Sequence, residues 1–229
     1  IMKSNKIIVA LDSNNFKKIE KIVRSLKSEV YAFKIGYEFF FNFGIEGYLK
    51  IKKICPKIFL DLKLHDIPNT VHQGLKALVK LKPMLTTIHI SGGDQMMKSS
   101  LIKNRVTKIL GVSVLTSLDQ SQTKKYYNEE KIELLVKKFV KQAIKQKLDG
   151  IVCSPKELIY LRNILPKNFI IVTPGIRINS HKDKNDDQRR VLTPKEAVEK
   201  GASLLVIGRP ITLSKDPLKT IKKINNSLK

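Results

Sequence analysis

The run Ile58-Phe59-Leu60-Asp61-Leu62-Lys63 sets a carboxylate and an ammonium inside an otherwise apolar, strand-like segment. Successive side chains of a strand face opposite ways, so Ile58, Leu60 and Leu62 form one face and Phe59, Asp61 and Lys63 the other. The first face can pack on helices. The second leaves Asp61 and Lys63 side by side, a pairing able to stabilise developing negative charge and to pass a proton. Asp66 follows one short turn later, and with Asn69 it flanks Pro68, so taken alone Asp66 reads as a helix cap. A structural ion pair is the plainer reading of Asp61 and Lys63. Buried charges are costly, however, and are usually kept for a reason.

Short β-branched runs that must position these groups recur along the chain: Ile7–Asp12, Val30–Ile35, Ile58–Lys63, Thr86–Ile90, Lys108–Leu115, Gly150–Ser154, Phe169–Thr173 and Leu204–Gly208. Helical spacing lies between most of them, as in Val71, Leu75, Leu78 and Val79 after Pro68, or Ile132, Leu135, Val136, Phe139, Val140 and Ala143. Eight strand and helix repeats predict a single (β/α)8 barrel over residues 1–229. An open doubly wound sheet is the alternative. It would carry a glycine-rich turn after the first strand, where Asp12-Ser13-Asn14-Asn15 stands instead. Barrel chemistry sits at the carboxyl ends of strands. Asp12, Lys34, Asp61 with Lys63, Thr116, Arg177 and Gly208-Arg209 all fall there.

Composition narrows the partners. The 44 basic and 20 acidic residues give a net charge of +24, which raises nucleic acid as a ligand. The lysines are scattered over nearly every helical stretch, tryptophan is absent and aromatics are 7% of the chain, so no basic stacking platform is evident. A lysine-rich solvated surface is the expectation, its field drawing in an anionic small substrate, with a basic RNA-binding protein as the alternative. No apolar run approaches the roughly 18 residues of a membrane span, so a soluble cytoplasmic protein without membrane contact is expected. Cys55 and Cys153 lack CxxC or metal-ligand spacing and are expected to be reduced core or helix-end residues. Of the histidines, His65 lies in a turn, His72 on a helix, His89 on a strand and His181 in a polar loop, none paired at metal-ligand spacing.

The stretch Asp61-Leu62-Lys63-Leu64-His65-Asp66-Ile67-Pro68-Asn69-Thr70 resembles the signature of the orotidine 5′-phosphate decarboxylase family. Further matches follow its order: Val9-Ala10-Leu11-Asp12, Phe33-Lys34-Ile35-Gly36, Ile90-Ser91-Gly92-Gly93, Val114-Leu115-Thr116-Ser117, Thr173-Pro174-Gly175-Ile176-Arg177, Asp186-Asp187-Gln188-Arg189-Arg190 and Ile207-Gly208-Arg209-Pro210-Ile211. DxKxxD alone is also seen in related barrel enzymes that act on sugar phosphates and would require magnesium. The resemblance implies a barrel that converts orotidine 5′-phosphate to UMP and CO2 with no cofactor and no metal. It implies that Lys34, Asp61, Lys63 and Asp66 form a network of alternating charge, with Lys63 as proton donor. Asp12 and Lys34 would contact the ribose, and Thr116 the substrate. Arg177, Gln188, Gly208 and Arg209 would grip the phosphate. Asp66, Ile67 and Thr70 match residues lent across a homodimer to the neighbouring site.

Such a reaction leaves a vinyl-type carbanion that the ring delocalises poorly, so the site must stabilise negative charge. Asn179 to Arg190 contains no apolar side chain, which predicts an exposed segment able to close over a phosphate.

Overall fold

A computed structural model describes residues 5–102, 106–177 and 192–228. Eight parallel strands close in chain order: β1 (Ile7–Ala10), β2 (Ala32–Ile35), β3 (Ile58–Leu64), β4 (Leu85–His89), β5 (Lys108–Val112), β6 (Gly150–Val152), β7 (Ile170–Thr173) and β8 (Leu204–Ile207). β1 pairs with both β2 and β8, which closes the barrel and leaves no open edge. Helices α1 (Phe16–Leu26), α2 (Tyr37–Ile54), α3 (Pro68–Leu78), α4 (Gly93–Ser99), α5 (Gln120–Tyr127), α6 (Ile132–Lys145), α7 (Leu158–Leu161), α8 (Pro194–Glu199), α9 (Arg209–Thr212) and α10 (Pro217–Ser227) connect or follow them.

Period-two alternation sorts the strand residues into two cores. Ile8, Ala32, Phe59, Leu85, Leu110, Val172 and Leu204 fill the barrel interior. Their sequence neighbours Ile7, Val9, Phe33, Ile35, Ile58 and Leu60 face outward and pack with helix residues such as Ile19, Val23, Ile51, Val71 and Leu75. Phe59 is 1% exposed at the centre of the inner core, and truncating it to Ala would cost about 3–5 kcal/mol. Short polar side chains start several helices: Asn15 accepts from Lys18 N before α1, and Thr193 forms a reciprocal capping box with Glu196 before α8.

All eight expected strands are present, shorter at some carboxyl ends. β1 stops at Ala10 rather than Asp12 and β5 at Val112 rather than Leu115. Only single hydrogen bonds continue the ladder, from Leu11 N to the Lys34 carbonyl and from Ser113 N to the Val152 carbonyl. Asp12 and Thr116 therefore stand on the rim, above inward-facing Ala10 and Val112. Helix α2 is interrupted at Gly44, whose φ of 57° needs a residue without Cβ.

Candidate active site

Four charged groups meet at the carboxyl ends of β1, β2 and β3. Lys63 Nζ lies 2.8 Å from Asp61 Oδ2, and Lys34 Nζ lies 3.8 Å from the same oxygen and 3.2 Å from Asp12 Oδ1. Lys34 enters because it is two residues beyond inward-facing Ala32 on β2. Burial would push the Asp61 carboxyl upward, but the Lys34 and Lys63 ammoniums and hydrogen bonds from Lys63 and Thr87 hold it below the usual carboxylate value. A buried carboxylate is thus kept ionised between two cations.

Simple alternation does not bring Lys63 here. The β3–β4 register runs from Leu60 opposite Thr86 to Leu64 opposite Ile88, so Asp61, Leu62 and Lys63 together face Thr87. This bulge twists the chain, and Lys63 adopts φ 42°, the left-handed region that a residue bearing Cβ seldom occupies. The expected pairing of Asp61 with Lys63 is present, but a strained backbone makes it in place of a regular pleat. Lys63 N donates to Thr87 Oγ1 at 2.9 Å, and Thr87 Oγ1 donates to Asp61 Oδ1 at 2.8 Å. On the other side Tyr37 Oη donates to the Leu62 carbonyl at 3.0 Å.

These groups form one wall of a cavity of about 450 Å³ at the barrel mouth. Arg177, Gly208, Arg209 and Thr116 line the remainder with apolar Val112, Val152 and Val206. A volume of this size suits a small-molecule ligand. Acidic and basic side chains at one end and two guanidiniums elsewhere match a ligand that is itself anionic.

Asp66, Ile67 and Thr70 are exposed and lie outside this chain's cavity. The cap reading of Asp66 is corrected: Ile67 is the N-cap of α3 without a side-chain cap bond, and Asp66 Oδ1 accepts from the adjacent Ile67 N at 2.6 Å. Pro68 at the helix start removes one donor that a cap would otherwise serve. Gln188 and the polar segment Asn179 to Arg190 lie outside the described residues. Sequence reasoning missed Thr87, Tyr37 and Glu38, the last of which also lines the cavity. Inward alternation from Leu85 through Thr87 to His89 was the available signal for Thr87.

Cys153 lines the cavity, but burial and nearby Glu157 push its thiol well above the ordinary range, which suits an inert core residue. Both cysteines are buried and unpaired with each other. The rings of His65 and His89 lie 5.1 Å apart and tilted by 34°, and His72 Nδ1 contacts the Ser99 carbonyl at 2.7 Å. Among the described residues no group of three or more His, Cys, Asp and Glu is arranged to hold a metal ion. No helix among them is long and apolar enough to cross a membrane.

A sequence model of the orotidine 5′-phosphate decarboxylase / HUMPS family matches residues 5–224. The orotidine 5′-phosphate decarboxylase of Carboxydothermus hydrogenoformans is 43% identical over 216 residues, covering 91% of this chain and 89% of that protein. The enzyme of the same name from Ehrlichia chaffeensis is 42% identical over 229 residues, covering 97% and 96%. The crystal structure of orotidine 5′-phosphate decarboxylase from Lactobacillus acidophilus has a TM-score of 0.83 at 38% identity, covering 98% of this chain and 99% of that one.

Proposed function

The chain belongs to the orotidine 5′-phosphate decarboxylase / HUMPS family, and from that premise we propose that it decarboxylates orotidine 5′-phosphate to UMP, the last step of de novo pyrimidine synthesis, without metal or organic cofactor. The observation that carries this reading is the ionised Asp61 held between Lys63 and Lys34 in the wall of an arginine-lined cavity. In the reaction, the bond between the ring carbon and the carboxylate breaks and its electron pair stays on the ring. Lys63 stabilises that pair as it forms, then transfers one ammonium proton to the same carbon.

Asp61 lies beside the leaving carboxylate and repels it. Two unit charges 4 Å apart interact by about 4 kcal/mol at an effective dielectric near 20. The largest enzymatic accelerations demand about 23 kcal/mol, so repulsion is the smaller contribution. Stabilisation by Lys63 dominates because it grows as the carbanion develops. Arg177, Gly208 and Arg209 take the phosphate, Asp12 and Lys34 the ribose, and Thr116 the substrate. Remote binding energy of this kind is realised in the rate when it closes the site against water.

The assembly we propose is a homodimer in which Asp66, Ile67 and Thr70 reach the neighbouring site. Their exposure on a single chain supports it, as does the apolar surface of α2, where Tyr37 and Phe41 stack at 5.6 Å with Phe41 78% exposed. We read residues 1–229 as one barrel domain acting in the cytoplasm, with a nucleotide and a second copy as partners and neither nucleic acid nor membrane.

The test mixes purified protein with orotidine 5′-phosphate in EDTA and follows the ultraviolet change as the carboxyl group leaves. Turnover that EDTA does not alter is expected. Absence of turnover overturns the reading, and turnover that requires added magnesium overturns its metal-free chemistry.

A further inference from the structure

Thr87 belongs to neither the charged network nor the matched family signature, yet it touches both halves of the Asp61–Lys63 pair. It is fully buried on β4, one inward position above Leu85. Opposite it, three residues of β3 occupy the space of one, so the regular backbone ladder is interrupted there. The Thr87 hydroxyl replaces what the ladder lacks. A hydroxyl carries one proton and two acceptor lone pairs. That proton goes to Asp61 Oδ1, which leaves Oδ2 for Lys63 and Lys34, while a lone pair accepts the Lys63 backbone N–H.

We propose that Thr87 is a positioning residue for decarboxylation: its hydroxyl fixes the rotation of the Asp61 carboxylate and the left-handed backbone of Lys63, and so aims the Lys63 ammonium. The inference rests on the decarboxylase reading of this cavity. Without the hydroxyl, Asp61 Oδ1 loses its donor and the Lys63 N–H its acceptor. The bulge then relaxes toward extended backbone, and the relaxation swings Nζ away from its place. A displacement of about 1 Å costs about 100-fold in rate. Substrate binding, held chiefly at the ribose and phosphate ends, changes little.

Adjacent Thr86 supplies the comparison. It is equally buried, but its hydroxyl points outward and donates to the Leu60 carbonyl at 2.9 Å, away from the charged pair. Kinetics with orotidine 5′-phosphate are measured for the wild type, Thr87→Val, Thr87→Ser and Thr86→Val, each with its thermal midpoint. Wild-type turnover tests the decarboxylase reading by itself, and its absence sinks that reading whatever Thr87 does. Given wild-type turnover, Thr87→Val should lose about 100-fold in kcat with little change in KM. Thr87→Ser should restore most of that loss, and Thr86→Val should keep its kcat despite a lowered midpoint. The proposal is overturned if Thr87→Val retains wild-type kcat, if Thr87→Ser fails to restore it, or if Thr86→Val loses as much. Should Thr87→Val not fold, Thr87→Ala is judged by the same kcat criterion against Thr87→Ser.

Discussion

A methyl group on Gly36 would stand 2.9 Å from Lys34 Nζ and 3.3 Å from Asp12 Oδ1. Gly36 has φ −105°, which any residue can adopt, so the requirement for glycine is space beside the Lys34–Asp12 contact. The obstructed group is the end of a flexible side chain, which can move without disturbing the backbone. Gly36→Ala should therefore keep unfolding free energy within about 0.5 kcal/mol of wild type in urea titration. It should raise KM, because Lys34 leaves its 3.2 Å contact with Asp12 at the ribose end. An unchanged KM would show that the space serves nothing.

Lys63 combines an ionic role with a strained backbone, and two substitutions separate them. Lys63→Ala should abolish turnover and remain folded, because the ammonium is lost while both barrel cores are untouched. Lys63→Gly should be equally inactive but more stable than Lys63→Ala by about 1 kcal/mol, since φ 42° penalises a Cβ. Urea unfolding of the two variants measures the difference. Equal stabilities would mean that the left-handed backbone stores no strain, and near-normal turnover by either variant would refute the proton-donor role.

The eight strands were legible because buried parallel strands read as short β-branched runs, and a (β/α)8 barrel alternates them with amphipathic helices. Lys34 and Asp61 were legible for the same reason: each lies two residues beyond an inward core residue, Ala32 or Phe59. The bulge was not. Asp61-Leu62-Lys63 contains no glycine to mark a left-handed turn, so strict alternation gave the correct neighbours by an incorrect path. Thr87 was hidden because threonine on a strand is an ordinary β-former, and only its tertiary neighbours distinguish its hydroxyl from that of Thr86. Asp66 beside Pro68 resembled a cap until the backbone gave that position to Ile67.

The proposed second copy makes a separate prediction at Phe41. Stacked on Tyr37 and 78% exposed, Phe41 contributes apolar surface that a partner would bury. Phe41→Asp changes no residue of the barrel cores, so the monomer should fold. Sedimentation should shift from dimer to monomer, and turnover should fall because Asp66, Ile67 and Thr70 no longer reach a neighbouring site. If wild-type protein sediments as a monomer at full activity, the lending of residues between sites is wrong.

His89 ends β4 close to the network, and its titration should appear in stability. Burial, followed by the fields of His65 and Lys63, brings its pKa down from 6.5 to about 4, against a smaller opposing pull from Asp61. The folded protein therefore resists a proton that the unfolded chain accepts between those values. Above pH 6.5 the group adds no pH dependence; as pH falls toward 4 the unfolded state gains, and stability drops. Solvent reaches the ring and screens part of the shift, so the loss is about 1–2 kcal/mol. His89→Gln removes this term and leaves the carboxylates to titrate as before. Urea unfolding at pH 7.5 and at pH 4.5 should thus give a larger acid-side loss for wild type than for His89→Gln, by about that amount. Equal losses would place the proton on His89 in the folded barrel and remove the physical basis for a neutral ring beside Lys63.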